Sequence, residues 1–310
     1  MNLDKETIKK IIELGRLRFL AGGFFLYLLG VLLAVASNVE FSVDKFLFGY
    51  AIMAPAHLAL SYSNNYFDIE VDEYGKPNSI SGGTKILIEN PELKNICKNM
   101  AASLMILSLI ISVAFIYVYS FQLTFLGFIV FGNLLGLFYT APPLRLAYNG
   151  FGEIANMMTT GILMPGIGYW VISGGFDTLF YLFAIPFLLY GIDFIITVET
   201  PDMEGDRKGG KNTLVVKIGR NKSYIILLIS LVAATLSFLV FALYGFDYII
   251  NFYVLTALSL IPLLVAIKGY LNKPLNKKNA TKAATANLMT FSMFVILVDI
   301  FLIVTIAFFS

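Results

Sequence analysis

Apolar residues in this chain come in long runs, without the strict alternation of a half-buried strand. Nine runs approach the roughly 20 residues that cross about 30 Å of hydrocarbon as helix. They lie near 17–37, 46–67, 99–119, 121–139, 151–172, 178–199, 223–244, 247–267 and 287–309. Links such as Ser120 to Gln122 and Gly245 to Asp247 are very short, which forces antiparallel neighbours. The pattern predicts an all-α, multi-pass membrane protein: a bundle of nine transmembrane helices with cytoplasmic cap loops. It reads as a single transmembrane domain over 1–310.

The stretch before the first run differs. Leu3, Ile8, Ile11 and Ile12 alternate with Lys5, Lys9 and Lys10 at helical spacing. Residues 1–15 suit either a short helix lying on the membrane surface or a frayed polar terminus. No charged-then-apolar leader with a small-residue cleavage site is visible, so no removable signal is expected.

Composition agrees with the spans. The chain is 58% hydrophobic and 14% charged, with mean hydropathy +0.80, whereas soluble domains average about 25% charged residues. Cys97 is the lone cysteine, which excludes an internal disulfide and a cysteine metal site. The distribution of charge carries more than its net value of +2. Of 22 Lys and Arg, 21 fall at the N-terminus or in the links after spans 2, 4, 6 and 8, leaving Lys45 on the other side. Positive residues favour the cytoplasm. The expectation is a cell-membrane protein with a cytoplasmic N-terminus and an external C-terminus.

Two acidic clusters close two of these runs on the cytoplasmic side: Ser63 to Asp72 and Glu199 to Asp206. Charge placed at membrane depth is costly and by default functional. Asn64, Asp68 and Asp72 recur every fourth residue and share one helical face, which His57 and Ser61 extend inward. Glu199, Asp202 and Asp206 also share a face, and Pro201 should bend or end their helix. Glu70, Glu73 and Glu204 are expected to be solvated neighbours. Facing carboxylate rows repel unless a hard cation lies between them, and Mg²⁺ is bound through a few carboxylates plus substrate phosphates. Lys76 and Lys85 follow the first cluster; Arg207, Lys208 and Lys211 follow the second. Acid, metal and base together describe a diphosphate site at a membrane surface.

These motifs resemble the UbiA superfamily of intramembrane prenyltransferases. Asn64, Asp68 and Asp72 match its first motif. Glu199, Asp202 and Asp206, then Gly210, Lys211, Thr213, Leu214, Val216 and Gly219, match its second. Tyr139, Pro142 and Pro143 match its segment after the fourth helix. Glu199 stands where Asp is commoner. Ser81 to Lys85 resembles the menaquinone-type branch, which acts on dihydroxynaphthoate, with Lys85 in place of Arg.

The resemblance implies nine helices and transfer of a polyprenyl group from its diphosphate to an aromatic quinone precursor. It also implies two Mg²⁺ ions bridged by the diphosphate. It assigns Asn64, Asp68, Asp72, Glu199, Asp202 and Asp206 to the metal, and Lys85, Arg207, Lys211 and Arg145 to the diphosphate. Asp68, Asp202, Lys85 and Tyr139 are the catalytic candidates. His57, Ser61 and Asp193 are candidates for the acceptor pocket. Tyr139 and Arg145 equally suit an interfacial aromatic and a cytoplasmic charge, and His57 equally suits packing. Asn133, Asn156 and Asp193 suit either a cavity or bonding between helices. Asp299, midway along the last run, has no assigned role. Two rival readings stand: a non-aromatic lipid acceptor such as a prenylated glycerol phosphate, and an ion-coupled transporter, which would instead place its acids at broken helices near the midplane. Neither nucleic acid nor a stated oligomer is implied.

Overall fold

The computed structural model describes residues 4–75, 80, 83–246 and 248–309. Lys76, Ser81, Gly82, Leu3 and Asp247 lie outside them. The described residues form helices and contain no strand. In chain order they are α1 (Lys5–Leu14), α2 (Leu17–Ala36), α3 (Val43–Phe67), α4 (Ile69–Tyr74), α5 (Ile86–Glu89), α6 (Lys94–Tyr119) and α7 (Leu123–Thr140). Then follow α8 (Leu146–Asn149), α9 (Gly152–Met158), a wide π turn (Thr159–Leu163), α10 (Met164–Ser173) and α11 (Thr178–Glu199). The chain ends with α12 (Met203–Lys208), α13 (Leu214–Tyr244), α14 (Phe252–Asn272) and α15 (Lys277–Phe309).

Seven of these helical stretches are long and apolar enough to cross a membrane: Leu17–Ala36, Pro91–Tyr119, Leu123–Thr140, Thr178–Glu199, Leu214–Tyr244, Phe252–Asn272 and Lys277–Phe308. The chain is therefore an all-helical, multi-pass membrane protein. Two expected spans fall short of that test for physical reasons. Helix α3 carries His57, Ser61, Asn64 and Asn65 within its length, and the 151–172 run is divided by the π turn.

Side-chain oxygens start several helices by accepting otherwise orphaned backbone N–H groups. Ser42 accepts from Lys45 N, Asp177 from Phe180 N, Thr213 from Val216 N and Asn251 from Tyr253 N. Helix α11 stops at Glu199, just before Pro201, where a missing N–H makes continuation costly.

Around a central cavity, α3 packs on α6 and α7, α9 and the π turn pack on α11, and α15 closes against α2 and α11. Helix α10 lies along α2. The polar segments meet at one end. Lys10 donates to Asn90 at 2.9 Å, Tyr148 to Asp68 at 2.7 Å, Lys211 to Asp68 at 2.8 Å, and Arg220 to Leu275 O at 2.8 Å. These bonds join the N-terminal segment and the links after α3, α7 and α11 to one another, and the start of α13 to the link after α14. At the other end Tyr27 donates to Phe46 O, Ser37 meets Tyr169, and Lys45 lies over the Tyr119 and Phe121 rings.

Candidate active site

Helix α3 ends at Phe67 and α4 begins at Ile69, so Asp68 stands at a break in the first acidic motif. Four-residue backbone bonds nevertheless run through it: Asp68 N donates to Asn64 O and Asp72 N to Asp68 O, each at 2.9 Å. The helical phase survives the break, and Asn64, Asp68 and Asp72 all line the cavity. In the second motif Asp202 N donates to Glu199 O at 3.0 Å and Asp206 N to Asp202 O at 2.9 Å. Glu199, Asp202 and Asp206 line the same cavity. The two short motif helices, α4 and α12, pack directly together. Gly209 makes this approach feasible, since a Cβ there would sit 2.7 Å from Val71 Cγ1.

The cavity encloses about 520 Å³. Its mouth carries Asp68, Asp72, Asp202, Asp206, Lys211 and Arg16. Deeper, Phe194, Val198, Phe291, Val295, Ile296 and Leu26 make an apolar wall. His57, Ser61, Tyr139 and Asn156 stand among the polar lining groups.

Asp68 is the hub of the mouth. Its Oδ2 accepts from Lys211 Nζ at 2.8 Å and its Oδ1 from the Tyr148 hydroxyl at 2.7 Å. The Tyr148 ring also stacks against Arg145, 4.3 Å from its centroid, and lies 5.5 Å from Lys211 Nζ. Burial would lower the Lys211 pKa, but Asp68 and Asp206 outweigh it and raise it, so the ammonium stays charged. Burial pushes Asp206 up to about 7, with Lys211 opposing and Asp202 adding to the rise. Burial and then the Asp68 charge raise Asp72 to about 6, partly offset by Arg16. Burial is the main cause of both rises, and Arg16 and Lys211 offset only part of them.

The same carboxylates bear on Mg²⁺. Among the described residues, no three His, Cys, Asp or Glu side chains converge into a ready-made cage. The arrangement fits a cation held by a few carboxylates together with substrate phosphate oxygens. Glu199 strengthens the fit: it is buried at the cavity wall, and among the described residues no donor meets either carboxylate oxygen in hydrogen-bond geometry, although the Thr213 side chain lies near. A buried acceptor without a donor is costly, and a bound cation would relieve it.

Several expected site residues sit elsewhere. Lys85 precedes the short helix α5 and does not line the cavity, although its neighbours Gly83 and Thr84 do. Thr84 N donates to Asp72 Oδ2 at 3.3 Å. Arg207 is exposed and donates to Val216 O at 3.0 Å. Arg145 does not line the cavity and lies over the Tyr148 ring. Asp193 is buried outside the lining, where Asn287 of α15 donates to it at 3.5 Å and to Thr197 at 3.3 Å. Asn133 donates to Ile129 O within its own helix. Glu70 and Glu73 are exposed, as expected, while Glu204 is exposed but pairs with Arg220.

The structure also brings in residues that the sequence did not single out. Arg16 holds Asn65 and lines the mouth. Tyr148 holds Asp68. Buried Glu153 accepts from Leu214 N, fixing the start of α13 beside the second motif. No local spacing marks these three. Arg16 was visible only as one of the positive residues at the N-terminus.

Comparison with known proteins gives the family. The UbiA prenyltransferase family model matches residues 24–295. A 1,4-dihydroxy-2-naphthoate octaprenyltransferase of Bacillus subtilis is 26% identical over 74% of this chain and 73% of its own. A digeranylgeranylglyceryl phosphate synthase of Sulfurisphaera tokodaii is 26% identical over 78% of this chain and 82% of its own. A UbiA homolog from Archaeoglobus fulgidus, solved bound to GPP and Mg²⁺, superposes with TM-score 0.60 at 16% identity, covering 92% of this chain and 99% of that one. With the family model spanning most of its length, the chain belongs to the UbiA prenyltransferase family.

Proposed function

We propose that this prenyltransferase moves a polyprenyl group from its diphosphate to an aromatic quinone precursor within the membrane, releasing diphosphate. One observation carries the reading: a single cavity has a charged mouth, formed by both acidic motifs and Lys211, and an apolar interior. A prenyl diphosphate has the same division.

In this reading Asn64, Asp68, Asp72, Glu199, Asp202 and Asp206 would hold Mg²⁺ together with the diphosphate, and so many carboxylates would suit two ions. Bound Mg²⁺ would supply positive charge against the departing diphosphate. Lys211 and Arg16 add fixed positive charge at the same mouth. The bond from the prenyl carbon to diphosphate oxygen breaks, and the diphosphate keeps the electron pair. The apolar wall keeps water from the allylic carbon left electron-poor. The acceptor ring supplies the electron pair of the new carbon–carbon bond, and the proton lost from the attacked carbon passes to solvent water at the mouth. His57, Ser61 and Tyr139, which line the cavity, orient the acceptor in this reading. Lys85, Arg145 and Arg207 contribute positive charge around the entrance and are not assigned direct contact.

Similarity to the naphthoate octaprenyltransferase favours an aromatic acceptor, dihydroxynaphthoate in particular. Similarity to the glyceryl phosphate synthase supports a second reading, a prenylated glycerol phosphate. Purified protein with labelled geranylgeranyl diphosphate and Mg²⁺ is expected to prenylate dihydroxynaphthoate; product masses across a panel including the glycerol phosphate identify the acceptor. No prenylated product from any acceptor would overturn the reading.

The same proposal takes the chain as one domain with nine crossings, counting α3 and the α9–α10 run, a surface-lying α1 and a cytoplasmic N-terminus. The meeting of the Lys- and Arg-rich links at one end supports this orientation. Single cysteines placed at Lys278 and at Leu123, in a Cys97→Ser background, test it. An impermeant maleimide added outside intact cells should label only Leu123→Cys. Labelling of Lys278→Cys alone would reverse the topology.

A further inference from the structure

We propose that Arg220 is a positioning residue that holds the second acidic motif in register with the cavity. It lines no part of the cavity itself. Gly219 places it there: with φ 78° and ψ 158°, Gly219 interrupts α13, in backbone space that is essentially restricted to glycine. The break turns Arg220, 4% exposed, back toward the end of α11.

Its guanidinium then serves three segments. Nε donates to Thr200 O at 2.8 Å and Nη2 to Pro201 O at 3.5 Å. Carbonyls in the last turn of a helix have no helical N–H to receive. Nη1 and Nη2 grip both carboxylate oxygens of Glu204, the fork geometry that Lys cannot reproduce. Nη1 also donates to Leu275 O at 2.8 Å, in the link between α14 and α15.

The stretch that Arg220 closes, from Thr200 to Arg220, carries Asp202, Asp206 and Lys211. Tying its two ends together restricts the conformations open to those groups before any ligand binds, and orientation fixed in advance lowers the cost of forming the reactive complex. The contact at Leu275 extends the effect to α15, which supplies Phe291, Val295 and Ile296 to the apolar wall. One buried side chain thus registers the charged mouth against the wall for the prenyl tail.

The inference rests on the proposed prenyl transfer, but its first readout does not. The test uses the full-length protein in detergent, with Arg220→Gln, Arg220→Lys and Glu204→Gln, and Tyr224→Phe as control. Tyr224 donates to Pro274 O at 3.2 Å, in the same α14–α15 link. Hydrogen–deuterium exchange without ligand is expected to quicken about tenfold or more over amides 202–211 in Arg220→Gln. Arg220→Lys should fail to restore it, Glu204→Gln should give an intermediate change, and Tyr224→Phe should give none. In turnover, Arg220→Gln should raise the KM for the prenyl diphosphate about tenfold and leave the acceptor KM unchanged. A lower melting temperature with wild-type exchange over 202–211 and a wild-type donor KM would make Arg220 a structural pin and overturn the proposal. If Arg220→Gln does not fold, unchanged exchange over 202–211 in Glu204→Gln overturns it equally. Absence of prenyl transfer by the wild type would sink the functional reading, while the exchange result still decides whether Arg220 orders the motif.

Discussion

Asp68→Asn is expected to lower Mg²⁺-dependent prenyl transfer by at least about a hundredfold while the protein still folds. The substitution keeps the side chain's shape and removes its charge. In the wild type one carboxylate oxygen accepts from Lys211 and the other from Tyr148. Breaking a buried ion pair from one side costs about 3–5 kcal/mol, because the remaining charge is left uncompensated. Lys211 would turn toward Asp206, the other carboxylate that sustains its charge, and leave the position from which it faces a departing diphosphate. Asp202→Asn should be equally severe, since it removes negative charge that the second motif brings to the same cavity. Tyr148→Phe is the graded comparison. It loses one bond to a carboxylate, worth about 1.5–3 kcal/mol, but keeps the ring against Arg145 and Lys211. Turnover of labelled donor at saturating Mg²⁺, alongside gel filtration in detergent, checks all three. Full activity in Asp68→Asn or Asp202→Asn would remove the metal-site reading.

The ease of finding Asp68 from sequence, and the difficulty of finding its partners, have one cause. Asn64, Asp68 and Asp72 are linked by helical periodicity, so their common face is written within nine residues of chain. The same holds for Glu199, Asp202 and Asp206, and for the apolar runs that became helices. The partners come from tertiary packing. Tyr148 lies 80 residues from Asp68, Lys211 lies 143 residues from it, and Arg16 lies 49 residues from Asn65. Lys211 was legible because it falls in a motif; Tyr148 falls in none.

Charge alone did not say which groups line the cavity. Lys85 and Arg207 follow acidic residues closely in sequence, yet α5 begins after Lys85 and Arg207 points to Val216 O. Proximity along the chain fixes which end of the bundle a residue occupies, but not which way its side chain turns. Asp193 shows the converse. Its depth in α11 suited a cavity residue, but Asn287 pairs it across to α15, the interhelical bonding that is the other common use of polar groups in membranes. Glu204, expected to be only solvated, is half of the grip on Arg220. Asp299 is buried, and among the described residues neither of its oxygens meets a hydrogen-bond partner.

The largest loss of stability is expected from Gly168→Val, with Gly168→Ala close behind. Helix α10 lies along α2, and two glycines face the partner backbone across that crossing. A Cβ at Gly168 would sit 2.1 Å from Tyr27 O and 3.1 Å from Val31 N. One at Gly30 would sit 1.8 Å from Pro165 O. These obstacles are backbone atoms, which cannot rotate aside as a side-chain tip can. In membranes such close crossings gain packing contact where apolar association alone gives no driving force. Adding a methyl would push α2 and α10 apart, at about 1–3 kcal/mol or more for overpacking. The displacement would reach the site, because α2 also supplies Gly22, Gly23 and Leu26 to the cavity wall. Gly127→Ala in α7 is the opposite case: a Cβ there meets nothing within 4 Å. Replacing glycine by alanine inside a helix should stabilise by roughly 0.5–1 kcal/mol. Thermal melting in detergent should therefore fall steeply for both Gly168 variants and for Gly30→Ala, and hold or rise for Gly127→Ala. A wild-type melting temperature in Gly168→Ala would show that α2 and α10 do not cross this closely.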